Sequence, residues 1–218
     1  MWWKWLLFLG MGVMIYFSFV TPAPQRMIGE ASRVFYYHIP QAWICVLAFL
    51  MSMIYSIRFL KTKDINFDDK AAEAARLGFI FCILATVTGS IFAKVTWGSF
   101  WNWDPRETSV FILLLIYAAY FSLRGAVEIE ERKATLSAVY SIFAFVTVPF
   151  LIFVVPRMTP SLHPEDSVVN ADMKFTMGPA VRMIFFSSLG FFTVLYFWMF
   201  SLAKRLKRME RIESEKED

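Results

Sequence analysis

Six long apolar segments constrain the fold of this chain more than any other feature of its sequence. A helix needs about 20 mostly apolar residues to cross roughly 30 Å of hydrocarbon. Such segments lie near residues 5–20, 39–58, 74–96, 107–123, 134–155 and 179–201. Apolar residues make up 58% of the 218, more than the roughly half that is usual in soluble domains. We therefore predict an all-α, polytopic membrane protein with six transmembrane helices.

The connections between these segments carry unequal numbers of Lys and Arg. Fourteen of these residues lie on the side that includes both termini, and seven lie on the other side. Because positively charged loops stay in the cytoplasm, both termini are predicted to be cytoplasmic. We predict one domain over residues 1–218, with a basic and then acidic cytoplasmic tail over 202–218. The net charge of +4 reflects this asymmetry and predicts contact with the lipid bilayer, not with nucleic acid.

The outer loop at residues 97–106 holds an unusual concentration of aromatic side chains. The aromatic residues are Trp97, Phe100, Trp101 and Trp103. If the stretch were helical, Trp97, Phe100, Trp101 and Asp104 would share one face. That face would form a flat shelf for a planar, largely apolar ligand. The alternative is an aromatic belt that anchors helix ends at the membrane surface.

The residues that follow the aromatic stretch have the pattern of a helix start. Asp104 precedes Pro105, and Glu107 lies three positions after Asp104, which is the pattern of a capping box. We therefore favour helix capping over chemistry for both acidic residues. Arg106 has no such role, and it could pair with an anionic group of a ligand near this helix N-terminus.

The chain has two histidines, and the predicted topology places both on the outer face. We expect His38 just before the second helix, with Pro40 in the first turn of that helix, and His163 in the last outer loop. Cys45 and Cys82 lie within apolar segments, where buried thiols are expected. Two imidazoles alone do not make a zinc site, but they suit an iron that is already held by four porphyrin nitrogens.

A porphyrin also needs an aromatic surface for its ring and cations for its two propionates. Several cations lie on the correct side, and their positions leave open which of them reach the ligand. From these we take three as candidate propionate partners. The candidate haem-binding residues are Trp97, Phe100, Trp101, Trp103, Asp104, Arg106, Arg33 and Arg157, with His38 and His163 as axial ligands of the iron.

Three stretches resemble one known family. Trp97-Gly98-x-x-Trp101-x-Trp103-Asp104 is similar to the tryptophan-rich (WWD) signature of the haem-handling membrane proteins of cytochrome c biogenesis. The stretch from Tyr37 to Trp43 and the loop from Ser161 to His163 resemble those of the short, six-helix members of this family. The resemblance covers nearly the whole chain.

The resemblance implies a function, a location and a set of partners. It implies that haem b is carried as cargo at the periplasmic face of the inner membrane, with His38 and His163 as its axial ligands. It also implies delivery to a membrane-anchored haem chaperone, protein E. Further implied partners are subunits A and B of an ABC transporter and the small membrane protein D. The chain would then be a transfer subunit and not an enzyme.

Two other functions stay open at this stage. The stretch from Asp104 to Thr108 is closer to the longer cytochrome c synthases of the same family, which attach haem directly to apocytochrome. Those relatives carry additional helices and histidines that this chain lacks. A cytochrome b-like electron carrier is the third possibility, but it requires histidine pairs in the middle of the membrane.

Overall fold

The computed structural model describes residues 2–24, 28–163, 168 and 174–217, and these residues form a helical bundle without β-strands. The α-helices in chain order are α1 (Trp2–Val20), α2 (Phe35–Thr62), α3 (Ile65–Trp97), α4 (Pro105–Ala126), α5 (Glu130–Pro149), α6 (Val155–Met158) and α7 (Pro179–Glu217). Six helical segments are long and apolar enough to cross a membrane, α5 and α6 being parts of one of them. The predicted fold class is confirmed.

The second and third helices are longer than predicted, and only Lys63 and Asp64 separate them. Lys63 ends α2 in the left-handed conformation with φ 57°. Asp64 caps α3, its carboxylate accepting the N–H of Asn66 at 2.9 Å. The charged residues that marked the end of the apolar segments therefore lie on helices that continue beyond the hydrocarbon.

The prediction for the start of α2 was wrong. A 3₁₀ helix (Gly29–Val34) leads into α2, so Pro40 lies inside the helix and His38 lies on it. Proline lacks an N–H and leaves the carbonyl four residues earlier without its helical partner. That carbonyl belongs to Tyr36, and the Ser188 hydroxyl of α7 donates to it at 2.5 Å. The lost bond of Pro40 is thereby replaced from another helix.

The bundle end formed by the C-termini of α2, α4 and α7, here called the ionic end, is held by charge pairs. Arg124 of α4 donates from both terminal nitrogens to Asp68 of α3, at 2.7 and 2.8 Å. Arg211 of α7 bridges Asp69 of α3 and Glu130 of α5. Because α7 runs to Glu217, the predicted tail from 202 is a continuation of the helix as far as it is described.

The middle of the bundle is packed with aromatic side chains from α2, α3, α4 and α7. Phe49 stacks on Tyr117 with ring centroids 3.4 Å apart, and both residues are fully buried. Cys45 and Cys82 are also buried free thiols, as the sequence predicted. Helix α1 lies at the periphery, where Trp3 meets Trp198 of α7 edge to face.

The transmembrane segment that precedes His163 changes from an α-helix to a π-helix. After Pro149, the backbone widens into a π-helical stretch (Phe150–Val154) before α6. A π-helical turn relieves the backbone where a regular helix cannot continue. The short helix α6 then delivers the chain to the loop that carries His163.

Candidate functional site

The end of the bundle opposite the ionic end, here called the histidine end, contains the aromatic loop between α3 and α4. The conditional prediction of a helical face from Trp97 to Asp104 was wrong. Gly98 has φ 83° and its N–H bonds to the Lys94 carbonyl at 3.2 Å, which ends α3 at Trp97. Only glycine adopts this left-handed conformation without strain. Trp97 is therefore the last residue of α3, and Phe100, Trp101 and Trp103 lie on an irregular loop between two helix termini.

The predicted capping box at the start of α4 is confirmed. One carboxylate oxygen of Asp104 accepts the N–H of Arg106 at 2.9 Å. Glu107 accepts the N–H of Asp104 at 3.4 Å and that of Asn102 at 2.8 Å. These bonds satisfy N–H groups that have no partner within a helix. They fix both the helix start and the end of the aromatic loop.

Asp104 has a second role that the sequence did not indicate. Its other carboxylate oxygen accepts the Ser161 hydroxyl at 2.9 Å and the N–H of Leu162 at 2.7 Å. The Nδ1 atom of His163 lies 2.8 Å from Oδ1. One buried carboxylate therefore joins the start of α4 to the loop that carries His163. Burial raises the pKa of Asp104, but the donors of Arg106, Leu162 and Ser161 outweigh it and hold the pKa below its usual value.

His163 lies against the aromatic loop and stays partly open. Its side chain is 19% exposed, and its ring meets Trp97 edge to face with centroids 4.7 Å apart. Burial lowers the pKa of the His163 imidazole, and the Asp104 carboxylate partly opposes this. The imidazole is therefore neutral at neutral pH, which is the form that can donate an electron pair to a metal.

His38 reaches the same end of the bundle from α2. Its Nδ1 atom lies 3.1 Å from the Thr88 hydroxyl of α3. Two histidines that are far apart in the sequence therefore lie at the same end of the bundle.

The other aromatic residues of the loop present open surfaces. Phe100 is 58% exposed and Trp103 is 73% exposed. Trp101 is held between Trp103 and Phe111, with both pairs of ring centroids 5.9 Å apart. An indole fixed by its neighbours next to two exposed rings provides a surface on which an apolar ligand can pack.

The three predicted propionate partners differ in their surroundings. Among the described residues, the buried Nε of Arg106 has no hydrogen-bond partner. The exposed Arg157 donates to the Phe153 carbonyl at 2.8 Å and lies near enough to act on Arg106 electrostatically. The unpaired Nε–H of Arg106 can donate to a carboxylate, and the positive charge of Arg157 would strengthen the attraction for such an anion.

Arg33, in contrast, is already paired on several sides. It forms an ion pair with Glu30 at 2.5 Å and donates to the carbonyls of Ser18 and Thr21 at the end of α1. These bonds tie α1 to the start of α2. Its assignment to the haem site stays a prediction.

The side chains at this end fit a porphyrin that brings its own iron. Within the described ranges, no three His, Cys, Asp or Glu side chains are grouped as a metal site. Two imidazoles therefore suit a metal whose remaining ligands come with it. The exposed rings near Trp97 match the porphyrin face, and the unpaired donor of Arg106 matches a carboxylate.

Sequence reasoning missed Thr88 and the contact between Asp104 and His163. Thr88 lies 50 positions from His38, and Asp104 lies 59 positions from His163. No local pattern indicates such pairs. The one available signal was the position of Asp104 at a helix start on the predicted outer face.

The fold and this site define a polytopic helical membrane protein with two histidines and a tryptophan-rich loop at one end. The profile of the family described as heme exporter protein C matches residues 1–217. A ccmC-like mitochondrial protein of cytochrome c biosynthesis from Marchantia polymorpha is 30% identical over 184 residues, which cover 84% of this chain and 78% of that protein.

Two further relatives bear on the assignment. Heme exporter protein C of Bradyrhizobium diazoefficiens is 31% identical over 156 residues, or 72% of this chain and 59% of that protein. Cytochrome c biogenesis protein CcsA of Cuscuta reflexa is 31% identical over 117 residues, or 53% and 37% of the two chains. The chain belongs to the heme exporter protein C family, which is named for a transport component and not for an enzyme.

Proposed function

We propose that this protein holds haem b as cargo, with its iron between His38 and His163 and its ring against the tryptophan-rich loop. Family membership supports the broader role in haem delivery for cytochrome c biogenesis. The observation that carries the finer proposal is that both histidines lie at the histidine end, His38 near the start of α2 and His163 against the Trp97 ring.

The propionates of the haem are assigned to Arg106 and Arg157. The Nε–H of Arg106 has no partner among the described residues, and a propionate oxygen would satisfy it. The exposed Arg157 supplies a second positive charge close by. Phe100 and Trp103, which are exposed, would cover the apolar part of the ring.

The proposed location rests on the excess of Lys and Arg at the ionic end, and the proposed partners rest on the family resemblance. That excess favours a cytoplasmic ionic end in the inner membrane, and hence a histidine end that faces the periplasm. Haem held there would pass to the membrane-anchored chaperone, protein E. The ABC transporter subunits A and B and the small protein D are proposed as the other members of the complex.

Haem content of the purified full-length protein tests this proposal. We expect the wild-type protein to show the absorption bands of low-spin, bis-histidine haem. His38→Ala and His163→Ala should each lower the haem content about tenfold or more, since each removes an iron ligand. Met158→Ala changes an exposed residue near the His163 loop and is the control, with unchanged haem content expected. Unaltered bands in both histidine variants would overturn the proposal.

Co-expression separates transfer from synthesis. An apocytochrome expressed with this protein alone should acquire no covalent haem. Addition of protein E should yield haem bound to the chaperone, and this transfer should fail in both histidine variants. Covalent cytochrome formed without any other maturation protein would instead identify a synthase.

A further inference from the structure

The hydrogen bonds of Thr88 determine which nitrogen of His38 carries the proton. The Thr88 hydroxyl has one proton, and it donates to the Leu84 carbonyl of its own helix at 2.8 Å. Toward His38 Nδ1, 3.1 Å away, the hydroxyl must therefore accept. The Ala85 carbonyl lies 3.2 Å from the same hydroxyl and is a second acceptor for its proton. The proton lies on Nδ1, and Nε2 keeps the electron pair that a metal needs.

The residue after Thr88 explains how α3 comes so close to this ring. A Cβ atom on Gly89 would lie 2.9 Å from Cε1 of His38, which is closer than such contacts allow. Thr88 and Gly89 thus position His38 together. Thr88 forms a hydrogen bond with the ring, and Gly89 leaves room for it because it has no side chain. Any side chain at position 89 would push the imidazole away from its present place.

The second histidine is fixed in the same tautomer by a different group. An ionised carboxylate only accepts hydrogen bonds, so His163 must donate to Asp104 from Nδ1 across 2.8 Å. Ser161 and Leu162 donate to the same carboxylate, and this immobilises the loop around the ring. Nε2 of His163 is therefore also the nitrogen left with an electron pair.

We infer that Thr88 and Asp104 are positioning residues that aim both Nε2 atoms at the iron, and that they make the two ligands unequal. This inference rests on the proposed function. A carboxylate that accepts from Nδ1–H raises the basicity of the imidazole more than a neutral hydroxyl does. His163 is the stronger ligand, and His38 is the ligand that the haem loses first when it is handed to an acceptor.

Glycine variants of the two histidines, supplemented with imidazole, test whether the two iron ligands differ in strength. His38→Gly and His163→Gly each remove one ligand, and imidazole added during purification can replace the missing ring. We expect the His38→Gly protein to retain several-fold more haem, because His163 still anchors it. Equal retention in the two variants, or more haem in His163→Gly, would overturn the inference.

The reduction potential of the bound haem tests the two positioning residues. Asparagine in Asp104→Asn can still cap α4, but it is a weaker hydrogen-bond acceptor for Nδ1–H of His163 than the carboxylate is. The imidazole then stabilises ferric iron less, so the midpoint potential of the haem should shift upward. Thr88→Val should alter the low-spin bands and speed haem loss about tenfold, and Thr88→Ser should restore both. Thr96→Val, in the same helix with its hydroxyl bonded to the Phe92 carbonyl, is the control.

The outcomes distinguish this inference from the proposed function. If the alanine variants of both histidines lose haem while Asp104→Asn and Thr88→Val keep the wild-type potential and bands, only the positioning roles are wrong. If the alanine variants keep their haem, the proposed function fails as well. Thermal unfolding of each variant excludes loss of the fold as the cause.

Discussion

At the ionic end, Arg124 donates from both terminal nitrogens to the buried carboxylate of Asp68, whereas at the histidine end the buried Nε of Arg106 has no partner among the described residues. At the ionic end, the positive charge of Arg124 and the negative charge of Asp68 are paired with each other. The histidine end has a guanidinium N–H that an added acceptor, such as a carboxylate, would satisfy. Buried charges are costly unless paired, so the contrast separates a structural contact from the candidate binding site.

The same contrast applies to the acidic residues. Asp68 and Asp69 each pair with one arginine and join helices. Asp104 binds no arginine side chain among the described residues, and it accepts four hydrogen bonds from a helix start and from the loop of His163. A carboxylate used in this way holds the side chain of a proposed iron ligand in place instead of closing a charge pair. The two ends should therefore respond differently to substitution.

Arg124→Ala should give the largest effect and should act on stability. It leaves Asp68, only 3% exposed, as an unpaired buried charge, and removal of one partner of such a pair costs about 3–5 kcal/mol. Thermal unfolding in detergent should show this loss, while the folded fraction keeps its wild-type haem bands.

The double variant Asp68→Asn with Arg124→Gln is the matched control for that experiment. It removes both charges together, so it should recover most of the lost stability. A double variant as unstable as Arg124→Ala would contradict the charge-pair explanation. Loss of haem from the folded protein would show that the two ends are not independent.

The sequence was sufficient for features that depend on local pattern. The lengths of the apolar segments predicted six spans, and Asp104, Pro105 and Glu107 predicted the capping box. The pair of Arg124 and Asp68 was not predicted, because its members lie 56 positions apart and no local pattern links them.

The errors at the helix ends have a related cause. Gly98 looked compatible with a helical turn, but its left-handed conformation ends α3 and makes the aromatic loop irregular. Pro40 looked like a first-turn residue, because the hydroxyl of Ser188 that supports its place inside α2 comes from a distant helix. Tertiary partners thus decide what local propensity leaves open.

Arg106→Gln should give an intermediate effect and should act on haem binding. A hydrogen bond to a charged group contributes about 1.5–3 kcal/mol, so haem affinity should fall about tenfold or more. Stability should change little or rise, because the variant removes a buried charge whose Nε is unpaired. Haem titration and thermal unfolding of the same preparation measure both quantities.

Arg76→Gln is the matched control, since it removes the same charge from a residue of α3 that pairs with Glu73 and is 53% exposed. It should leave haem affinity unchanged. Equal losses of affinity in the two variants would mean that Arg106 acts only through the net charge of the protein. A large loss of stability in Arg106→Gln would instead place it with the structural arginines of the ionic end.

Ser188→Ala should give the smallest effect and tests whether the histidine end also contains purely structural contacts. The variant leaves the buried carbonyl of Tyr36 without the donor that replaces the missing N–H of Pro40. An unsatisfied buried acceptor costs at least about 1 kcal/mol, which thermal unfolding can resolve. Ser187→Ala, an exposed neighbour, is the control and should be neutral. Because His38 lies between Tyr36 and Pro40 on α2, a shift in the haem bands of Ser188→Ala alone would show that this bond also helps to place His38, the proposed iron ligand.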